Sequence, residues 1–243
     1  MSKKKSNFPG CRCTDAHRHV WKEGKNVEIV LEHVLPADIE KTSFRIIEDE
    51  LRQAGRVIPE DTKHVILRVI HTTADFEYLD TMFISPDALQ RASDAIRWGA
   101  HIVTDTTMAM SGINKRRLAS FGGEVHCHIA DPDVAEAAKK AGTTRSAAAV
   151  DKAVRAAQEE RLPLIFAVGN APTALIALEE KIRQGYRPEL VIAVPVGFVN
   201  VVAAKERIMQ VCAETGVPCI CNRGRKGGSN VAAAICNAIM YRM

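Results

Sequence analysis

The chain has 243 residues, of which 47% are hydrophobic and 26% charged, and a formal net charge of +4. This balance predicts a globular protein with a substantial core and argues against a disordered chain. The basic residues are spread along the chain, whereas nucleic-acid-binding proteins concentrate them on one face. No run approaches the ~18 consecutive apolar residues of a membrane span, and the basic start lacks the apolar run of a secretory signal. We therefore expect a cytoplasmic protein that binds neither nucleic acid nor membrane.

The seven cysteines are an odd number and do not suggest a disulfide framework. Four of them lie in or beside apolar runs, at Cys127, Cys212, Cys219 and Cys221. We predict buried free thiols in a reducing compartment.

Residues 1–35 show no sustained periodicity and are predicted to be an N-terminal extension of a domain at 36–243. The extension holds a C-x-C-x3-H-x-H pattern formed by Cys11, Cys13, His17 and His19. Such ligands can hold a transition metal. The spacing is not that of a zinc finger, however, and all four residues come from one short loop. A chance cluster in a tail is the favoured interpretation, and no metal is assigned.

Two helices are predicted before residue 75. Ser43 is expected to cap a helix that runs to Leu51, and Pro59 to open a second helix with an apolar stripe. On the second helix His64, Arg68 and His71 are spaced by four and three residues and so share one face beside that stripe. Histidine can move a proton near neutral pH. From its position alone, His71 is equally compatible with a catalytic and a structural role.

After Pro86, short apolar runs alternate with helical segments. The predicted strands are 102–104, 124–129, 164–168, 190–194 and 218–221. The predicted helices are 87–98, 114–120, 132–140, 145–160, 172–184, 199–214 and 229–241. Nearly all-apolar strands separated by helices of crossover length predict a mostly parallel sheet covered on both faces. The expected fold class is therefore α/β, a three-layer α/β/α arrangement with a doubly wound sheet.

Four junctions before predicted helices are rich in glycine, proline or basic residues, at 142–146, 169–173, 195–198 and 223–229. Free N–H groups and the helix dipole favour anions at all four. Full positive charges are added by Arg145, Arg223, Arg225 and Lys226. The pattern predicts a small ligand with several negative charges.

Other sites were weighed against these junctions. The sequence has no G-x-S-x-G elbow, no G-x-x-x-x-G-K-[ST] loop and no early G-x-G-x-x-G, which disfavours a hydrolase triad and a nucleotide site. His126 and His128 alternate on a predicted strand, where a metal pair is one interpretation and a polar strand face the favoured one.

Five segments together resemble the precorrin-8X methylmutase family, in the family's order and spacing across roughly residues 38–240. They are RVIH at 68–71, GTTRSAAA at 142–149, AVGNAPTAL at 167–175, PVGFV at 195–199 and RGRKGGS at 223–229. The resemblance implies a homodimeric α/β isomerase of cobalamin biosynthesis. It would move a methyl group from C-11 to C-12 of a corrin precursor, giving hydrogenobyrinate or, with cobalt in the ring, cobyrinate. No separate cofactor is implied.

The resemblance also implies roles for particular residues. His71 matches the family's proton donor and acceptor, and Ser43, Arg68 and Arg145 match substrate contacts. The substrate contacts predicted in the other junctions are Asn170, Arg223, Arg225 and Lys226. Small residues at Gly169, Ala171 and Gly197 are expected to leave room for the ring.

Two alternatives stay open at this stage. One is a catalytically silent corrinoid-binding protein with the same fold, and the other is a nucleotide-dependent α/β enzyme. Whether the substrate contains cobalt is also open.

Overall fold

A computed structural model describes residues 35–243. The chain divides into two compact units, residues 1–39 and 40–243. The predicted metal pattern at Cys11, Cys13, His17 and His19 lies outside the described residues. In the first unit the described part holds a short 3-10 helix, Pro36–Asp38, and the first residue of the next helix. In the described part, no helix combines the length and apolarity needed to cross a membrane.

The elements are numbered in chain order. The helices are α1 (Ile39–Gln53), α2 (Lys63–Thr73), α3 (Tyr78–Thr81), α4 (Ala88–Arg97), α5 (Thr107–Gly112), α6 (Lys115–Ala119), α7 (Pro132–Ala141), α8 (Arg145–Glu160), α9 (Pro172–Arg183), α10 (Val201–Thr215) and α11 (Ser229–Tyr241). The strands are β1 (Met82–Ile84), β2 (His101–Thr104), β3 (Val125–His126), β4 (Leu164–Val168), β5 (Leu190–Ala193) and β6 (Cys219–Asn222).

The strands form one six-stranded sheet in the order β1-β6-β5-β4-β2-β3. Every neighbouring pair is parallel except β1 and β6, which are antiparallel. The chain leaves β2 towards one edge of the sheet and leaves β4 towards the other. The carboxyl ends of β2 and β4 therefore form the topological switch point, where open α/β sheets commonly bind ligands. The predicted doubly wound α/β class is confirmed.

The sheet is buried on both faces because alternate residues of each strand enter different cores. Ile165 and Ile192 pack in the cluster that includes buried residues of α1, α2, α4 and α11. Phe166 and Val191 pack in the opposite cluster with α8, α9 and α10. This period-2 alternation between two apolar layers is why the strands read as continuous hydrophobic runs. Three of the predicted buried thiols, Cys212, Cys219 and Cys221, belong to the second cluster, while Cys127 is half-buried.

Three local expectations were wrong. Ser43 does not cap a helix, because α1 begins four residues earlier, at Ile39. Pro59 does not open α2, which begins at Lys63 behind a turn in which the Thr62 N–H donates to the Pro59 carbonyl. The strand expected at 124–129 is reduced to Val125–His126, because this segment pairs with β2 over two residues only. The short strand β1 was not anticipated.

Candidate active site

The helix α2 carries His71 near its C-terminal end. Its apolar stripe is buried, with Val65 and Val69 fully enclosed, and it packs chiefly on α11. The helix ends at Ala74, which adopts a left-handed conformation (φ 52°) and donates its N–H to the Ile70 carbonyl. His71 lies one turn before this end and is exposed. The fold thus presents the imidazole to solvent on a rigid, well-packed helix.

His71 and Ser43 line the same open cleft, which has a volume of about 250 Å³. Most of its other lining is apolar and comes from Ile46, Ile47, Ile70, Ala74 and Phe76. The ring of Phe44 stands edge-on to the imidazole at 5.6 Å between centroids. Pockets that enclose drug-sized ligands have volumes of roughly 300–1,000 Å³. This smaller cleft can take only one edge of a large ring, beside the imidazole.

Arg68 lines a neighbouring cleft, although it and His71 both contact the ring of Phe44. Its guanidinium donates to both carboxylate oxygens of Glu40, at 2.8 and 3.0 Å, and lies over the rings of Phe44 and Tyr241. Such a bidentate pair is geometrically specific. The same cleft contains His64, whose pKa is lowered to about 4 by burial and by the charge of Arg242. His64 is therefore neutral near pH 7.

The basic loop, residues 223–228, is tied to the end of α2. The Lys226 ammonium donates to Asp75 Oδ2 at 2.5 Å and to Glu77 Oε2 at 2.7 Å. These two hydrogen bonds raise the pKa of Lys226 above its ordinary value. Asp75 follows His71 by four residues, so the ion pair holds the imidazole-bearing end of α2 against the carboxyl end of β6.

Lys205 supports the basic loop by hydrogen bonds to the backbone of the loop. Only 1% exposed, it donates to the carbonyl oxygens of Gly224 (3.0 Å) and Lys226 (2.7 Å). Asn222, at the end of β6, donates from Nδ2 to the Lys226 carbonyl at 3.0 Å. Burial lowers the pKa of Lys205 to about 8. A buried ammonium thus satisfies backbone carbonyls that the tight loop turns inward.

The two arginines of the loop are exposed and stack on aromatic rings. Arg223 lies over Phe83 at 5.5 Å, and Arg225 lies over Phe198 at 5.3 Å. Phe198 is itself 82% exposed. Stacked guanidinium groups keep their N–H edges available for carboxylates. These two charges are therefore the best placed in the loop to meet an anionic ligand.

The switch point is closed by the protein's own groups. Asp105, directly after β2, accepts hydrogen bonds from the N–H groups of Gly169 (2.8 Å), Asn170 (2.8 Å) and Ala171 (2.6 Å). Burial raises the pKa of the Asp105 carboxyl, against the opposing effect of these three N–H groups. Here the expectation of an external anion needs correction, because Asp105 already occupies the N-terminus of α9.

The expectation that Gly169 leaves room for the ring also needs correction. A Cβ at this position would lie 2.7 Å from the Ser229 Cα and 2.8 Å from the Gly228 carbonyl oxygen. Its small size thus admits the backbone that opens α11, and it does not leave room for a ligand.

Arg145 is the first residue of α8 and is exposed. The preceding residue, Thr144, caps the helix by accepting from the Ala147 N–H and donates its hydroxyl proton to Thr173 Oγ1 at 2.8 Å. The starts of α8 and α9 are thereby joined beyond the carboxyl end of β4. Arg145 and Asn170 consequently lie at the same edge of the sheet as the basic loop.

Comparison with known proteins decides the assignment. The model of the precorrin-8X methylmutase family matches residues 38–242. The chain belongs to this family. A cobalt-precorrin-8 methylmutase from Salmonella typhimurium is 49% identical over 211 residues, covering 86% of this chain and 96% of the relative. A second, from Priestia megaterium, is 43% identical and covers 85% and 88%. The solved structure of precorrin-8X methyl mutase from Thermus thermophilus has a TM-score of 0.72 and 42% identity, covering 84% of this chain and 96% of that one.

Membership of the family makes the chain an isomerase, as predicted. It does not identify which residues act. Three residues important to the site's geometry were not singled out by sequence reasoning: Asp105, Lys205 and Asp75. An acidic residue directly after a buried strand is a usable signal for Asp105. The pairings of Lys205 and Asp75 carry no comparable signal, because their partners lie 19 to 151 residues away along the chain.

Proposed function

We propose that the protein moves a methyl group from C-11 to C-12 of cobalt-precorrin-8, giving cobyrinate, with His71 as the acid and base. The observation that carries this proposal is the position of His71, an exposed imidazole beside Ser43 at an apolar cleft. Through Asp75 and Lys226 that end of α2 is tied to a loop with two further cations. An apolar ring with peripheral carboxylates fits this combination of surfaces.

In this mechanism His71 donates a proton to the conjugated ring, which becomes electron-poor, and the methyl group migrates within the ring. His71 then takes a proton back, and conjugation is restored in its new place. Proton count and oxidation state are unchanged, as an isomerisation requires. One positioned acid–base group contributes on the order of 10²–10⁴-fold, and orientation of the ring contributes more. No separate cofactor is proposed, since any cobalt belongs to the substrate.

The cobalt-containing substrate is favoured by the two relatives at 49% and 43% identity, which are both named for it. Relatives named cobalt-precorrin-8 methylmutase are 49%, 43% and 40% identical to this chain. Relatives named precorrin-8X methylmutase are 36% and 34% identical, and the solved precorrin-8X methyl mutase of Thermus thermophilus is 42% identical. Three further relatives named cobalt-precorrin-8 methylmutase are 36%, 35% and 36% identical, so the preference for the cobalt form rests on the relatives at 49% and 43%.

An assay with the cobalt-containing and metal-free substrates side by side tests the proposal through the visible spectrum of the ring. We expect faster conversion of the cobalt form, and loss of conversion in His71→Ala with substrate affinity changed only a few-fold. Faster conversion of the metal-free form would contradict the choice of the cobalt-containing substrate. His64→Ala is the matched control, because His64 lies two turns earlier on the same helix but in another cleft. Near-normal turnover in His71→Ala would remove His71 from the mechanism. Binding without conversion by the wild-type protein would favour the silent corrinoid-binding alternative.

We also propose a homodimer that acts in the cytoplasm. The dimer is supported by exposed apolar side chains that a partner would cover, among them Phe198 (82%) and Val199 (77%). Sedimentation of the wild type and of Phe198→Asp tests it, and a monomeric wild type would contradict it. Fractionation of cells that express the full chain tests the location.

A further inference from the structure

Three side chains with metal-binding atoms converge at the β3 edge of the sheet. His101 begins β2, His126 ends β3, and Glu124 immediately precedes β3. Glu124 and His126 are two residues apart in an extended segment, so their side chains leave the same face. The backbone is fixed across the two strands, because the Ile102 N–H donates to the Glu124 carbonyl at 2.8 Å.

The distances suit a single small ion. His101 Nδ1 and His126 Nε2 are hydrogen-bonded to each other at 2.9 Å, a contact that a shared ion would replace, and His126 Nε2 lies 3.9 Å from Glu124 Oε2. All three ligand atoms lie within 4.8 Å of one another. With metal–ligand bonds of about 2.0–2.2 Å, an ion in contact with both imidazoles would see them at roughly 90°. Glu124 is 71% exposed, so rotation of its side chain can complete the contact.

The neighbouring histidine, His128, is hydrogen-bonded to a residue outside this cluster. The rings of His101, His126 and His128 form a row, with centroids 5.1 and 6.1 Å apart and nearly parallel planes. His128, however, bonds through Nδ1 to Asp131 Oδ2 at 2.9 Å, and Asp131 is also paired with Lys152. The His126–His128 pair weighed in the sequence analysis is therefore not the group whose ligand atoms converge.

This cluster is remote from the candidate active site. Glu160, the last residue of α8, acts electrostatically on His126, whereas Arg145 begins the same helix. A helix of 16 residues is about 24 Å long. The cluster thus lies at the end of α8 opposite to Arg145, and its member His101 begins β2, whereas the basic loop follows the carboxyl end of β6.

We propose that His101, Glu124 and His126 bind one divalent first-row transition-metal ion, with Zn²⁺ as the representative. Two imidazoles and one carboxylate are a donor set that such ions favour, and water would fill the remaining positions. The role is structural, because the ion would fasten the two-residue edge strand β3, whose single neighbour in the sheet is β2. The proposal departs from the sequence-based expectation that the chain holds no metal site.

The test uses the full chain without an affinity tag. We expect one equivalent of Zn²⁺ to be lost in His101→Ala and in His126→Ala, measured by calorimetric titration and by metal analysis after dialysis. Glu124→Gln should weaken Zn²⁺ binding at the same site at least about tenfold. Loss of a group that only supports a metal ligand already lowers metal affinity by about that factor. Since Glu124 is exposed, this variant also keeps the test decisive if a histidine variant fails to fold.

Two controls separate this site from others. His128→Ala removes a neighbouring ring that is not a ligand and should keep the equivalent. A variant with Cys11, Cys13, His17 and His19 all changed to serine or asparagine should also keep it, which distinguishes the site from the N-terminal pattern. At Zn²⁺ near 100 times its Kd, the wild-type Tm should rise by roughly 5–10 °C and that of His126→Ala should not. Unchanged metal content in both single-histidine variants, or no binding by the wild type, would overturn the proposal.

Discussion

The Lys226 ammonium lies 2.5 Å from Asp75 Oδ2, and this pair joins the basic loop to the helix end that carries His71. A second carboxylate, Glu77, lies 2.7 Å from the same nitrogen. With two anionic partners already in place, the charge of Lys226 is balanced within the protein. We infer that Lys226 is a positioning residue whose main effect on the reaction is exerted through α2, while Arg223 and Arg225 stay the predicted ligand contacts of the loop.

Lys226→Met is expected to lower kcat/KM by more than about tenfold, because small misplacements of a catalytic group are costly. Its effect on the free energy of unfolding should stay below about 1 kcal/mol, since the side chains of Lys226, Asp75 and Glu77 are all partly exposed. Steady-state kinetics and urea unfolding measure the two effects. Lys63→Met is the matched control, because Lys63 also pairs with two carboxylates, those of Glu48 and Glu60, but lies away from the loop. Equal kinetic effects in both variants would contradict the positioning role.

Asp105→Ala is expected to reduce the free energy of unfolding by about 3 kcal/mol or more. It leaves three N–H groups at the start of α9 without their acceptor, and each unsatisfied buried donor costs about 1–3 kcal/mol. Asp105→Asn keeps one acceptor oxygen and should be intermediate. Urea unfolding measures the series, with Asp49→Ala, a partly exposed aspartate paired only with Arg52 in the described contacts, expected within about 0.5 kcal/mol of wild type. An Asp105→Ala protein as stable as wild type would show that the switch point is not held by this carboxylate.

The lowered pKa of Lys205 predicts that the free energy of unfolding depends on pH. Its pKa in the folded protein is about 8, below the ordinary value of 10.5, so the unfolded chain binds more protons between these two values. Stability from this group therefore rises as pH increases from about 8 to 10.5, and it is lost as pH falls through 8. The total is at most roughly 3 kcal/mol, at 1.36 kcal/mol per pKa unit.

The comparison with Lys205→Met isolates this effect from other groups that titrate in the same range. Unfolding should be measured for both proteins between pH 7 and 10. We expect the stability difference between wild type and variant to shift in favour of the wild type as pH rises. Parallel pH profiles for the two proteins would mean that Lys205 is not the group responsible.

Much of the fold was predictable because its strands are buried on both faces. The prediction for 164–168 matches β4, and that for 145–160 matches α8, since a continuous apolar run and an alanine-rich helix after Thr144 are strong local signals. The strand β1 was missed because three residues carry too little pattern. Its existence depends on pairing with β6, about 140 residues further along the chain.

The site was less predictable than the fold, because its contacts also join residues that lie far apart in the sequence. The shared cleft of Ser43 and His71 follows from a family resemblance and not from their spacing. Arg68 could be placed beside His71 on one helix face, but not its bidentate pairing with Glu40, which comes from another helix. Likewise, a helix N-terminus predicts that an anion is favoured, and only the tertiary structure reveals that Asp105 is that anion.

The position of β6 between β1 and β5 constrains the order in which the molecule can be completed on the ribosome. The segment that carries His71 leads directly into β1, and Thr81 bonds to Asn222 across 141 residues of sequence. The main packing partner of α2 is α11, the last helix to be synthesised. A nascent chain that ends before residue 222 therefore has neither the strand nor the helix that anchors this segment. Contacts so distant in sequence form slowly. We therefore expect the apolar stripe of α2 to stay uncovered during synthesis until α11 has been made.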